Sequence, residues 1–239
     1  MADLTAVFEH ARSLGYGLQA VIKSTDCPEP VVEAADSFDA LWIVCNTGDR
    51  VQQRWLAGRD PEPLIADEAN LIAGSAGPLD DFCRAELSAL LIGHPHRMLF
   101  PHDYDQPLLP LVTILQGAGL LRPSPVMNSL HDRYGSWWAV RAVIALNYDR
   151  PAEGDLGQSP CLNCDAPCIR QCPAGAVSRT GWAFELCRDQ RLQPDSGCLS
   201  HCPARQVCPA GVGFRYSEPV QRYHYRVSLN YLCAQPSRN

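Results

Sequence analysis

Eight of the chain's 12 cysteines fall between residues 161 and 208, in CLNCDAPCIRQCP (161–173) and the stretch after it. Two residues separate Cys161 from Cys164, and three separate Cys164 from Cys168 and Cys168 from Cys172. After a wide loop and Cys187 come Cys198, Cys202 and Cys208, with gaps of three and five. Thiols spaced this closely form disulfides, bind zinc or ligate iron–sulfur clusters. The start, MADLTAVFEHARSLGYG, has Asp3 and Glu9 where a signal peptide has a basic end and an apolar run, so a cytoplasmic chain is expected. Stable disulfides are rare in that compartment. A zinc ribbon needs two separated C-x2-C hairpins, and the sequence has one.

The iron–sulfur reading accounts for more. In two-cluster bacterial ferredoxins three close cysteines hold one 4Fe-4S cubane, while a fourth, followed by proline, crosses to the other. Applied here, Cys161, Cys164, Cys168 and Cys208 hold one cluster, and Cys172, Cys187, Cys198 and Cys202 hold the second. The crossing ligands Cys172 and Cys208 both open a Cys-Pro-Ala-Gly turn, which marks two equivalent ligand sites. The alternative, one cluster with stray thiols, leaves Cys187 or Cys198 idle. Pro167 supplies a rigid turn before Cys168. Cys27, Cys45 and Cys83 are expected in the core, since free cysteine behaves as a small buried hydrophobe. His224 and Cys233 read as packing of the tail.

Several elements must position these groups. A helix over 4–14 ends at Gly15, a strand follows around Leu18–Ile22, and ALWIVCN (40–46) is a second strand whose Asn46 could cap a helix carrying Val51, Trp55 and Leu56. Leu79, Phe82, Cys83, Leu87, Leu90 and Leu91 recur at helical spacing. RMLFP (97–101) reads as a strand, PLLPLVTILQGAG as a buried helix despite Pro110, and WWAVRAVIALN (137–147) as a long strand across which Trp137 and Trp138 alternate. Their irregular interleaving suits an α+β layer fold. At Pro151 a polar linker begins, so three segments are expected: 1–150, a cluster module at 151–213 and a helical tail at 214–239. With few aliphatic runs the module has little core and must be held by something other than hydrophobic burial, for which clusters or metals are the usual answer.

The net charge of -6 divides unevenly: residues 1–150 carry 11 Lys+Arg against 19 Asp+Glu, and residues 151–239 carry 9 against 7. Nucleic acid is therefore disfavoured as a partner. No apolar run approaches the roughly 18 residues of a membrane span.

The stretch HDRYGSWWAVRAV (131–143) resembles one in the cobalamin-processing proteins of the methylmalonic aciduria type C family, matching in type at His131, Arg133, Gly135, Trp137, Ala139, Arg141 and Val143, with Tyr134 a close substitute. His102 and Pro107 fall where that family has H-x4-P. The chain is also similar to epoxyqueuosine reductases in ARSLGYGLQAVI, in AGL (118–120) and in YGSW (134–137) followed by a two-cubane segment, and reductive dehalogenases share that order of parts. The resemblance implies a nitroreductase-like first domain that binds a corrinoid, followed by a ferredoxin-like module that reduces it. It implies cofactor contacts at His102, Ser129, Leu130, His131, Tyr134 and Trp137, a thiol-cosubstrate arginine at Arg141, and a proton donor at Asp103 or Asp105. LLRPSPV (120–126) replaces the G-W-x-G-K segment of epoxyqueuosine reductases and no tRNA-binding repeat follows, which disfavours a tRNA substrate.

The expected function is an iron–sulfur oxidoreductase that passes electrons from a low-potential donor, such as a ferredoxin or flavodoxin, to cobalamin. The corrinoid would be its cofactor or its substrate. Two other readings remain open: a ferredoxin-like carrier whose first domain docks a partner, and an FMN-dependent reductase.

Overall fold

Two runs rich in β-branched and apolar residues, ALWIVCNT and WAVRAVIAL, become the inner strands of one sheet, as such runs do when both faces are covered. The structure, a computed structural model, describes residues 4–57, 59, 77–100, 109–149 and 157–234. These fall into two compact units, one drawn from residues 1–55, 74–121 and 138–156, the other from 56–73, 122–137 and 157–239.

In the first unit, β1 (Leu18–Lys23), β2 (Ala40–Thr47), β6 (Trp138–Leu146) and β3 (His96–Leu99) form a sheet in the order β1-β2-β6-β3, antiparallel throughout. Val44 pairs with Ala142 and Cys45 with Val140, so Arg141 is the extra residue of a bulge in β6. Helix α1 (Thr5–Ser13) ends as expected: Gly15 adopts φ 105, and the N–H of Tyr16 returns to the carbonyl of Ala11. Phe8 of α1 packs on Trp42 of β2 at 4.7 Å, and the Trp42 indole donates to Gln19 Oε1. Helices α2 (Glu29–Ala35) and α3 (Arg50–Leu56) flank β2 in sequence. Helix α4 (Pro78–Leu90) starts with proline at its first turn and buries Leu79, Cys83 and Leu87 along one face. Helix α5 (Leu111–Gly117) begins directly after Pro110, which stands outside the helix and does not interrupt it.

Two expectations need correction here. Asn46 is a buried residue inside β2, four residues ahead of the first residue of α3: its amide donates to the Gly48 carbonyl, and its oxygen accepts from Arg141. Cys27 is half-buried beside a short 3-10 turn, not in the core, whereas Cys45 and Cys83 are fully buried as expected.

The second unit starts with the hairpin β4 (Arg122–Ser124) and β5 (Asn128–Leu130). It continues through α6 (Pro167–Gln171), the short pair β7 (Val177–Ser178) and β8 (Gly181–Trp182), α7 (Phe184–Arg191), α8 (Pro203–Gln206) and α9 (Glu218–Ala234). Its small core gathers Val126, Ala166, Cys168, Val177 and Ala204, with Ile169, Cys172, Trp182 and Cys202 packed against them. Cysteines therefore sit where a larger domain would place leucines. Among the described residues no helix is long and apolar enough to cross a membrane.

Candidate metal centre

The eight clustered cysteines are all in the second unit, four of them on turns that repeat. In Ser159-Pro160-Cys161-Leu162 the N–H of Cys161 meets Ser159 Oγ at 3.3 Å, and the N–H of Leu162 meets the Ser159 carbonyl at 3.1 Å. In Ser196-Gly197-Cys198-Leu199 the same two bonds measure 3.1 and 3.3 Å. The two Cys-Pro-Ala-Gly turns also match, each ending in a left-handed glycine, Gly175 at φ 61 and Gly211 at φ 70. Each repeat thus begins on Ser-x-Cys-Leu and closes on Cys-Pro-Ala-Gly. The Ser-x-Cys-Leu half lay in the sequence as a signal that cysteine spacing alone does not register.

The added residue before Cys168 acquires a role. Ala166 takes the left-handed conformation at φ 51, its N–H points to Cys164 Sγ at 3.4 Å, and Pro167 then opens α6 with Cys168 in its first turn. Cys172 follows the helix in an extended conformation, with φ -78 and ψ 110, and so leaves the course that carries Cys168.

Which thiols lie near which is read from their mutual influence. Burial raises Cys168, and the neighbouring thiols of Cys208, Cys161 and Cys164 raise it further. Cys208 is likewise raised by burial and then by Cys161 and Cys164. Burial also raises Cys187 and Cys198, and in both cases Cys202 and Cys172 add to the effect. Among the largest influences on these four thiols, every other thiol belongs to the same set of four. Hydrogen bonds act in the opposite sense at all four: the Trp182 and Ser196 side chains lower Cys187 and Cys198, and the backbone at Ile169 and Ala210 lowers Cys168 and Cys208. Sequence spacing alone offered no route to Trp182. Among the described residues no three His, Cys, Asp or Glu side chains converge closely enough to hold a single metal ion. A cleft of about 510 Å³ adjoins the first set, lined in part by Cys161, Leu162, Ser124 and Arg179.

Of the other site residues expected from sequence, His102, Asp103 and Asp105 lie outside the described residues. Ser129 and Leu130 are buried in β5, and Ser129 Oγ donates to the Arg122 carbonyl at 3.4 Å. His131 is half-buried; its Nδ1 accepts the N–H groups of Arg133 at 3.0 Å and Tyr134 at 3.4 Å, so a neutral ring carrying its proton on Nε2 caps this turn. Burial lowers its pKa, which favours the same neutral form. Tyr134 stacks on His131 at 4.6 Å and meets Phe214 edge-on at 4.7 Å. Trp137 is fully buried, with the Arg205 guanidinium 4.0 Å from its ring centre and Tyr216 at 5.3 Å. Trp138 is half-buried. Arg141 belongs to the first unit, where it is 7% exposed, donates from Nε to Asn46 Oδ1 at 2.7 Å and comes within 3.8 Å of Asp80. His224 packs between Tyr216 and Tyr223, and Cys233 is exposed.

No family model matches this chain, and no curated protein matches it. Two solved structures are similar. One is epoxyqueuosine reductase from Bacillus subtilis, in a form with its catalytic aspartate loop swung out of the active site; it is 15% identical, with 89% of this chain and 66% of that chain covered at a TM-score of 0.52. The other is the B12-trafficking protein CblC of C. elegans, a homologue of human MMACHC, which is 14% identical, with 95% of each chain covered at a TM-score of 0.47. The chain thus spans about two thirds of the reductase's length, and what it shares with the reductase is a mixed helix-and-sheet fold.

Proposed function

We propose that this chain is an iron–sulfur oxidoreductase in which two 4Fe-4S clusters pass electrons from a low-potential donor, such as a ferredoxin or flavodoxin, to a corrinoid held by a nitroreductase-like first domain. Cys161, Cys164, Cys168 and Cys208 hold one cluster; Cys172, Cys187, Cys198 and Cys202 hold the other. The observation that carries this reading is the sorting of eight cysteines into two sets of four, each completed across the repeat.

Four thiols within electrostatic reach of one another suit a cubane, whose four irons each take one thiolate. The apolar residues around Cys168, Cys172 and Cys202 limit water, and the N–H and O–H donors at Cys164, Cys187 and Cys198 fit anionic sulfur. Bound clusters would supply one-electron transfer at low potential, and a bound corrinoid the reaction with substrate. Of the corrinoid contacts proposed, which the sequence places within residues 1–150, His131 and Tyr134 are half-exposed and fall in the compact second unit. His102 is a further contact, and Asp103 or Asp105 the proton donor.

Anaerobic reconstitution followed by iron and sulfide assay should give about eight irons per chain. About four irons would reject the two-cluster assignment. Hydroxocobalamin added to this protein should show a shifted corrinoid spectrum; no binding at micromolar concentration would remove the corrinoid, and flavin retained through purification would favour a flavin reductase. With corrinoid bound and iron content unchanged, Asp103→Asn or Asp105→Asn should slow substrate reduction about 100-fold or more at the true donor.

A further inference from the structure

The second set of thiols has a buried cation beside it that, among the described residues, no carboxylate neutralises. Arg191 ends α7, four residues after Cys187, and is 9% exposed. One terminal nitrogen donates to the Tyr225 carbonyl at 2.7 Å and to Ser228 Oγ at 2.9 Å, both on α9. Its Nε is buried with no hydrogen-bond partner, and among the described residues no Asp or Glu pairs with it. Its charge is felt at both Cys187 and Cys198. A guanidinium taken out of water is expensive unless an anion answers it. Among the described residues none of its partners is one.

Arg205, 5% exposed, repeats the pattern nearby. It donates to the Ser136 hydroxyl at 3.2 Å and to the Ser136 carbonyl, covers the Trp137 ring and hydrogen-bonds the Tyr225 side chain, which is in reach of Cys202. The first set differs. Its arginines, Arg179 on the Cys164 carbonyl and Arg215 on the Cys208 carbonyl, are exposed, so water and salt screen them.

Resting on the two-cluster reading, we propose that Arg191 is the buried counter-charge of the second cluster and raises its reduction potential above that of the first. A cubane bound by four thiolates is anionic in both states and becomes more so on reduction. A fixed cation in a poorly screened site therefore favours the reduced form. Arg191 is a positioning residue: each cluster accepts one electron from the reductant, and no proton moves because arginine stays protonated.

The test is an EPR-monitored redox titration of the reconstituted full chain with dithionite as reductant, the two signals assigned with Cys168→Ala and Cys172→Ala proteins. Wild type should show the second cluster reduced at the higher potential. In Arg191→Gln that cluster's reduction equilibrium should fall at least tenfold, which is 59 mV for a one-electron couple, with the first cluster unmoved. Arg191→Lys, which keeps the charge, should stay near wild type. If Arg191→Gln loses iron from the second cluster alone while Arg191→Lys stays loaded, the counter-charge role is supported. The inference is overturned if Gln and Lys variants behave alike, if both clusters shift together, or if the first cluster titrates higher in wild type. Wild-type protein with about four irons would instead sink the two-cluster reading beneath it.

Discussion

Arg141 shows how one residue's surroundings set what its substitution does. As the extra residue of the β6 bulge it holds Asn46 and faces Asp80 from a site 7% exposed. Arg141→Met would remove a donor to a buried amide oxygen and a cation facing Asp80, so a loss of about 3 kcal/mol is expected in urea unfolding. A loss within 0.5 kcal/mol, the range of an ordinary surface site, would reject the contact. The adjacent thiol makes a pH prediction. Burial pushes Cys45 from 9.0 up to about 12, with Arg141 opposing. Between those values the folded chain keeps a proton that the unfolded chain releases, so stability present below pH 9 is lost as pH rises toward 12. The slope is at most about 1.4 kcal/mol per pH unit. Cys45→Ala should flatten the alkaline fall in melting temperature by that one proton's share, and an unchanged slope would show that another group is responsible.

Among the elements, the paired Cys-Pro-Ala-Gly turns offer an internal control. Gly175 and Gly211 share the left-handed conformation, but a Cβ on Gly175 would point into open space, whereas one on Gly211 would strike the Tyr134 carbonyl and the Gly135 nitrogen. Gly175→Ala should therefore cost about 1 kcal/mol, the left-handed penalty alone. Gly211→Ala should cost distinctly more, because the backbone at Tyr134 must also move. Equal losses in thermal melts would argue against the close approach. The sequence carried much of this level. Apolar periodicity placed α4 and its buried Leu79, Cys83 and Leu87, and the uninterrupted apolar runs placed β2 and β6, because those patterns are local. It gave no sign that Asn46 would be claimed by an arginine 95 residues away, since that depends on a bulge between strands that meet only in the fold. The seven-residue helix α2 was missed for a different reason: EPVVEAA is too short to display a period. At the proposed metal centre the cysteines were legible as spacing, while Arg191 was not, because the lack of a carboxylate beside it among the described residues is a property of three-dimensional neighbours.

For the molecule as a whole, the decisive issue under the proposed two-cluster reading is whether the clusters interlock through exchanged ligands or sit one after the other along the chain. Sequential sites would group Cys161, Cys164, Cys168 and Cys172, the simplest reading of a run of four. The exchanged arrangement is favoured by the electrostatics: Cys208, Cys161 and Cys164 act on Cys168, whereas Cys172, extended after α6, acts with Cys202 on Cys187 and Cys198. Removing one ligand should then empty one cluster and spare the other, since metal binding and local folding are coupled within each set. Cys168→Ala and Cys172→Ala, only four residues apart, should each retain about four irons yet show different residual EPR signals. Cys208→Ala should reproduce the first spectrum although it lies 40 residues from Cys168, and Cys198→Ala should reproduce the second. If Cys168→Ala and Cys172→Ala gave the same residual signal, the clusters would be sequential. The repeat would then be a likeness of turns without an exchange of ligands.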